Sequence, residues 1–114
     1  MKKVEAIIRH IKLEDVRDAL DKIGVGQMTV TEVKGAGKQR GYEETYRGTK
    51  ITIHLRPKIK IETVVEDDKI KEVVETIIKN ARTGDIGDGK IFVYPIEEVF
   101  RIRTGEKGPE TVKE

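Results

Sequence analysis

The chain has 114 residues, 36% of them hydrophobic and 39% charged, which fits one domain with a small core and not a disordered segment. Its 23 basic and 21 acidic residues nearly cancel to a net charge of +2, so a concentrated basic face of the kind a general nucleic-acid binder needs is not expected. The absence of cysteine excludes disulfide frameworks and thiolate metal sites. The opening MKKVEAIIRHIK is too short and too charged for a signal-peptide core, and no stretch approaches a membrane span. A cytoplasmic protein is the expectation.

Val4, Ala6 and Ile8 alternate with Lys3, Glu5 and Ile7 as a first strand with one face better buried. From Leu13 the period becomes helical, with Val16, Ala19, Leu20 and Ile23 on one stripe and Gly24 as a stop. Met28–Val33 (MTVTEV) is a β-branched second strand. Periodicity is then lost from Gly35 to Arg56, a charged, glycine-bearing stretch long enough to be functional. Within it Ile51–Leu55 can form a strand, so a hairpin-like arm is predicted. Ile59, Ile61, Thr63 and Val65 alternate with Lys58, Lys60, Glu62 and Val64 as a third strand. Asp67 or Asp68 is expected to cap a second helix with the stripe Ile70, Val73, Val74, Ile77, Ile78 and Ala81. Lys90–Tyr94 is a fourth strand ended by Pro95, and the polar tail, residues 105–114, is expected to fray.

This order is strand–helix–strand, arm, strand–helix–strand. It predicts an α+β, ferredoxin-like βαββαβ sandwich in one domain over residues 1–114, with both helices on one face of an antiparallel sheet. Ile7, Val33 and Val64 fall on the other face, which other subunits would cover.

Four segments carry candidate chemistry. Thr83–Lys90 (TGDIGDGK) has glycines that let backbone N–H groups approach an anion, and Lys90 adds a point charge. The same sequence also serves as a helix-to-strand turn. Arg101 and Arg103 would share one side of an extended segment, as a phosphate contact or as a solvated edge. Lys58, Lys60 and Glu62 share a strand face that either meets solvent or lines a cleft. Gly37-Lys38-Gln39-Arg40-Gly41 places two cations and an amide at the base of the arm, as a binding turn or a plain loop. His10 and His54 form no triad and no metal pair, so catalysis is not expected.

Taken together these residues resemble the PII nitrogen-regulatory signal proteins, from Met1 to about Glu106. The likeness rests on Met28–Gly35 (MTVTEVKG), Thr83–Val93 (TGDIGDGKIFV) and Arg101–Glu106 (RIRTGE). The resemblance implies a homotrimer with ATP or ADP bound competitively in clefts between neighbours. Gly87, Asp88, Gly89 and Lys90 would hold phosphates from one subunit, with Arg101 and Arg103 reaching or framing the same site from the next. Lys38 would add a phosphate contact, and Thr29, Gly35, Glu62 and Val64 would surround adenine and ribose. It also implies Mg²⁺-dependent binding of 2-oxoglutarate beside ATP, Gln39 ligating the metal and Lys58 pairing with the distal carboxylate, with Gly37 in the same turn.

The arm, residues 37–55, resembles the family's T-loop, which docks onto partners through Tyr46, Arg47 and Gly48. An ammonium transporter is the leading target, reached from the cytoplasm without insertion of this chain into the membrane; glutamine synthetase is another. Ile51 stands where many members carry a modifiable tyrosine, which excludes that modification here. Ala36, Arg56 and the pair Arg9-His10 also depart from the family pattern. An RNA-binding reading would need stacking aromatics on the first and third strands, which have none. An acyl-phosphate hydrolase would need an arginine at an anion-binding loop after the first strand and an asparagine on the sheet; Arg9 is present, but Asn80, the only Asn, lies at a helix end. A relative sensing another small molecule is disfavoured by the intact GDGK, Gln39 and Lys58.

Overall fold

The computed structural model describes residues 1–36, 42–46, 49–53 and 55–113, with backbone alone for 42–46, 49–53 and 113. Strand β1 (Lys2–Arg9) passes through a 3-10 turn into helix α1 (Leu13–Lys22), and β2 (Thr29–Gly35) follows. Two short strands, β3 (Tyr42–Tyr46) and β4 (Thr49–Ile53), precede β5 (Arg56–Val65), α2 (Ile70–Ala81) and β6 (Gly89–Pro95).

The main sheet is antiparallel in the order β2-β5-β1-β6, while β3 and β4 pair only with each other. This is the ferredoxin-like arrangement expected from the sequence, with the two-stranded ribbon as a separate arm. Alternation decides which face of the sheet is buried. Val4, Ala6 and Ile8 of β1 and Ile59, Ile61, Thr63 and Val65 of β5 are buried, and Val16, Leu20, Val73 and Ile77 of the helices pack in the same core. Each such aliphatic side chain contributes about 1.5–3 kcal/mol of transfer free energy. The alternate residues Lys3, Glu5, Ile7, Lys60, Glu62 and Val64 lie half-buried on the opposite face.

Helix α1 ends as its sequence implies. Gly24 takes φ +87°, its N–H donates to the Asp21 carbonyl, and the Val25 N–H reaches back to Leu20, which satisfies two terminal carbonyls.

Three expectations are corrected. Neither Asp67 nor Asp68 caps α2 with its side chain; both fall in a 3-10 turn, and the Asp67 carboxylate accepts a hydrogen bond from the Met1 amino group at 2.9 Å. Ile78 of the helical stripe is exposed, because the covered sector is narrower than the stripe. The frayed tail is instead folded back: Phe100 bridges Lys107, residues Pro109–Lys113 form a 3-10 turn, and Thr111 is buried. The 3-10 turn lies against β5, cover that no periodicity in so short a polar segment foretells.

Candidate functional site

The glycine-rich loop between α2 and β6 is organised from within by Asp88. Its carboxylate accepts hydrogen bonds from the backbone N–H groups of Thr83 and Gly84, at 2.8 and 2.9 Å, and from the Thr83 hydroxyl. Arg9 Nε donates to the same carboxylate at 3.0 Å, and its NH2 group donates to the Ile86 carbonyl at 3.0 Å. These donors, the Thr83 hydroxyl foremost, then the Thr83 N–H and Arg9, hold the Asp88 carboxyl well below the usual carboxylate range. The Asp88 carboxylate thereby consumes N–H groups that the sequence alone left available for an anion.

Lys58, on β5 directly beside Arg9 on β1, completes the grip. Its Nζ donates to the Gly87 carbonyl at 2.6 Å, and the residue is only 9% exposed. Burial, then the nearby charges of Arg9 and Arg56, lower its pKa, and Asp88 opposes the shift. Two cations from adjacent strands thus hold three successive loop residues, 86 to 88. The grip of Arg9 on the loop was missed from sequence, where Arg9 entered as a departure from the family pattern and as the arginine of a rejected hydrolase reading; nothing local discloses that β1 ends against the loop.

Gly89 has a packing role that its motif does not reveal. At φ +105°, a Cβ there would sit 1.7 Å from the Ile7 carbonyl oxygen. The glycine is demanded by close passage of β6 over β1, independently of any anion. Lys90 follows on the exposed strand, paired across from Ile7.

A second group of predicted residues lies further along the sheet. Thr29 pairs with Glu62, and both line a cavity of about 420 Å³ together with Val64, Lys3, Val99, Thr111 and Val112. Glu62 is held by Lys3 at 3.1 Å, with Lys60 at 3.8 Å. Lys3 also lies 4.7 Å over the Tyr94 ring, and the Tyr94 hydroxyl donates to Glu5 at 3.1 Å. The hydrogen bond to Glu62 is the main cause of a raised Lys3 pKa. Lys3, Glu5 and Tyr94 were also missed, since their meeting with Glu62 depends on strand register.

Glu62 stands four residues from Lys58 along β5, about 13 Å at ordinary strand rise. Within one chain the loop and the cavity are therefore separate. Gly35 ends β2 next to Lys58, whose Cγ would be 3.5 Å from an added Cβ. Arg101 and Arg103 do not lie on an extended segment as expected. Residues 101–105 turn, the Gly105 N–H donating to the Arg101 carbonyl, and Arg101 pairs with Glu106 at 2.9 Å. Gly105, with its positive φ of 74°, supplies the reversal. Tyr46 closes β3, paired with Thr49 in the backbone ladder. Gly37, Lys38, Gln39, Arg47 and Gly48 lie outside the described residues. Among the described residues no group of His, Asp or Glu is arranged to hold a metal, and no helix is long and apolar enough to cross a membrane.

Comparison with known proteins matches residues 1–106 to the family model described as nitrogen regulatory protein P-II. A nitrogen regulatory protein P-II of Azospirillum brasilense is 53% identical over 112 residues, covering 98% of this chain and all of the relative. Nitrogen regulatory protein P-II 1 of Escherichia coli K12 is 56% identical over 107 residues, 94% of this chain and 96% of the relative. Among solved structures, Arabidopsis thaliana PII bound to citrate superposes with a TM-score of 0.80 at 42% identity, covering 99% of this chain and 90% of that one. The family model, the identity to these relatives and the shared fold agree, and the chain belongs to the P-II family of nitrogen regulatory proteins.

Proposed function

We propose that this P-II protein is a trimeric, non-enzymatic signal transducer that binds ATP or ADP in clefts shared by neighbouring subunits. The observation that carries the reading is the contact between Lys58 and the Gly87 carbonyl, which joins the glycine-rich loop to a buried cation. In this reading the loop and Lys90 hold phosphates, with Lys38 and with Arg101 and Arg103 of the next subunit. Thr29, Gly35, Glu62 and Val64 surround adenine and ribose. The roughly 13 Å between the two groups on one sheet supports a site completed across a subunit boundary. Exposed Ile86, Phe92, Val93, Phe100 and Ile102, the last fully exposed, are the apolar surface such an assembly would cover.

In the same reading 2-oxoglutarate binds beside ATP through Mg²⁺, with Gln39 as metal ligand. Its distal carboxylate takes Lys58, a cation whose charge is costly to bury and which an anion would compensate. A citrate complex of a relative supports organic-acid binding by this fold. Ligands that bind two states of the arm unequally would shift its population, and the arm with Tyr46, Arg47 and Gly48 would dock on an ammonium transporter from the cytoplasm. Thus the protein would reach the membrane only through its partner. The alternative is a nucleotide-ratio sensor without a 2-oxoglutarate response, acting on another target such as glutamine synthetase.

The test is isothermal titration with ATP, ADP and 2-oxoglutarate, each with and without Mg²⁺. ATP is expected to bind, and 2-oxoglutarate to bind only with Mg²⁺ and ATP. An absence of ATP binding would overturn the reading. ATP binding with no 2-oxoglutarate response would leave the nucleotide-ratio sensor.

A further inference from the structure

Ile78 belongs to the apolar stripe of α2 yet is 38% exposed, and the proposed nucleotide site gives it no role. Its exposure follows from the way the layers meet. Helix α2 lies against β1, so β6, the edge strand beyond β1, keeps Ile91 only half-buried on the helix side. The space left between helix and edge strand is a cavity of about 390 Å³, inside the range of about 300–1,000 Å³ usual for small-molecule sites. Val74, Ile77, Ile78 and Ala81 of α2 line it together with Ile8 and Ile91 of the sheet.

The charged residues of the lining are Arg82, Asp88 and Lys90. Val74, Ile78 and Arg82 are each four residues apart and follow one row along the helix, and the Arg82 N–H donates to the Ile78 carbonyl at 3.1 Å. The row runs for about 12 Å, at about 1.5 Å per residue, from an apolar end to a guanidinium. Asp88 does not neutralise that guanidinium, because its carboxylate is held by Thr83, Gly84 and Arg9. Arg82 enters none of the ion pairs among the described residues. A cation at a helix C-terminus is ordinary in itself. One that continues an apolar row into a cavity fits an amphiphilic anion.

We propose that the cavity between α2 and β6 is a second ligand site, for a medium-chain aliphatic carboxylate. The chain lies along Val74 and Ile78 over the floor made by Ile8 and Ile91, and the carboxylate meets Arg82. Burial of the chain supplies the affinity, and the guanidinium selects an anion over a neutral head group. An extended eight-carbon acid has about the length of the row. The proposal is independent of the nucleotide reading, in which neither Ile78 nor Arg82 takes part. Lys90 stands at the margin of both sites, so the test is made without nucleotide.

The experiment titrates the full chain with octanoate in a calorimeter, and with butyrate and octanol as probes that lack the chain length or the charge. Octanoate is expected to saturate with a Kd of about 1 mM or tighter. Butyrate and octanol should each bind about fivefold or more weakly than octanoate. Arg82→Gln removes the cation, and Ile78→Glu puts a like charge beside the chain; each should weaken octanoate by about fivefold or more. Both residues are exposed, so both variants should fold, which circular dichroism checks. If Ile78→Glu does not fold, Ile78→Ala is read in its place, with a loss of about twofold or more expected. A weaker Kd for the folded parent, a smaller preference over either probe, or a smaller loss in either variant would overturn the proposal. Octanoate held equally by parent and variants would show adsorption elsewhere on the surface.

Discussion

Gly89→Ala separates packing from ligand binding at the centre of the glycine-rich motif. The new Cβ would lie 1.7 Å from the Ile7 carbonyl oxygen and 2.8 Å from its carbon, where real contacts essentially never fall under 3.0 Å. Both neighbours are backbone, so no side chain can swing aside. The start of β6 would have to part from β1 by more than an ångström, which costs the hydrogen bonds at the Ile8–Gly89 end of the ladder, about 1 kcal/mol each. Holding φ near +105° with a side chain adds about 1–2 kcal/mol. A total loss of about 3–4 kcal/mol is expected, a large part of the stability of a domain this size. Urea unfolding read by circular dichroism measures it, with an accompanying fall in Tm of roughly 10–15 °C. A variant within about 1 kcal/mol of the parent would refute the steric reasoning and return Gly89 to a purely ligand-facing role.

Asp88→Ala removes the acceptor for four donors and should destabilise the chain by about 2–3 kcal/mol, measured by the same urea titrations. Because the folded Asp88 pKa lies below the unfolded value, its stabilisation is complete above about pH 4 and is lost as pH falls through the folded value. The stability gap between parent and Asp88→Asn should therefore be flat from about pH 5 to 7 and close in acid. Lys90→Ala should weaken ATP by about 1.5–3 kcal/mol in calorimetry, and unchanged affinity would show that Lys90 does not touch the phosphates. Lys58→Met should abolish the Mg²⁺-dependent 2-oxoglutarate heat and also weaken ATP alone, because the Gly87 carbonyl loses its hydrogen bond and the loop its grip; a retained 2-oxoglutarate heat would remove Lys58 from the acid site. Reassembled mixtures of Lys90→Ala chains with Arg101→Ala/Arg103→Ala chains should regain parental sites in roughly a quarter of clefts if each site draws on two subunits, and in none if it does not.

The sheet order and core were legible because strand alternation and helical stripes repeat over many residues, as at Val4-Ala6-Ile8 and Val73-Ile77. The helix stop at Gly24 was legible because positive φ there needs glycine. What sequence left hidden depends on long-range register. Arg9 and Asp88 are 79 positions apart, and Tyr94 and Glu5 are 89 apart, so no local pattern announces either pair. The polar composition of residues 105–114 predicts fraying, yet backbone bonds tie Glu106 to Arg101 and Gly108 to Val99, and the Thr111 hydroxyl closes the turn on the Gly108 carbonyl. Arg101 and Arg103 were read as strand residues because RIR alternates. The hydrogen bond from Gly105 to Arg101 turns the chain instead.

The central claim is that the loop gripped by Arg9 and Lys58 belongs to a nucleotide site. Calorimetric titration of the parent chain with ATP tests it most directly. The account predicts saturable binding at one ATP per chain, with Mg²⁺-dependent 2-oxoglutarate binding only once ATP is present. A flat titration with ATP, from a chain shown to be folded, would contradict it.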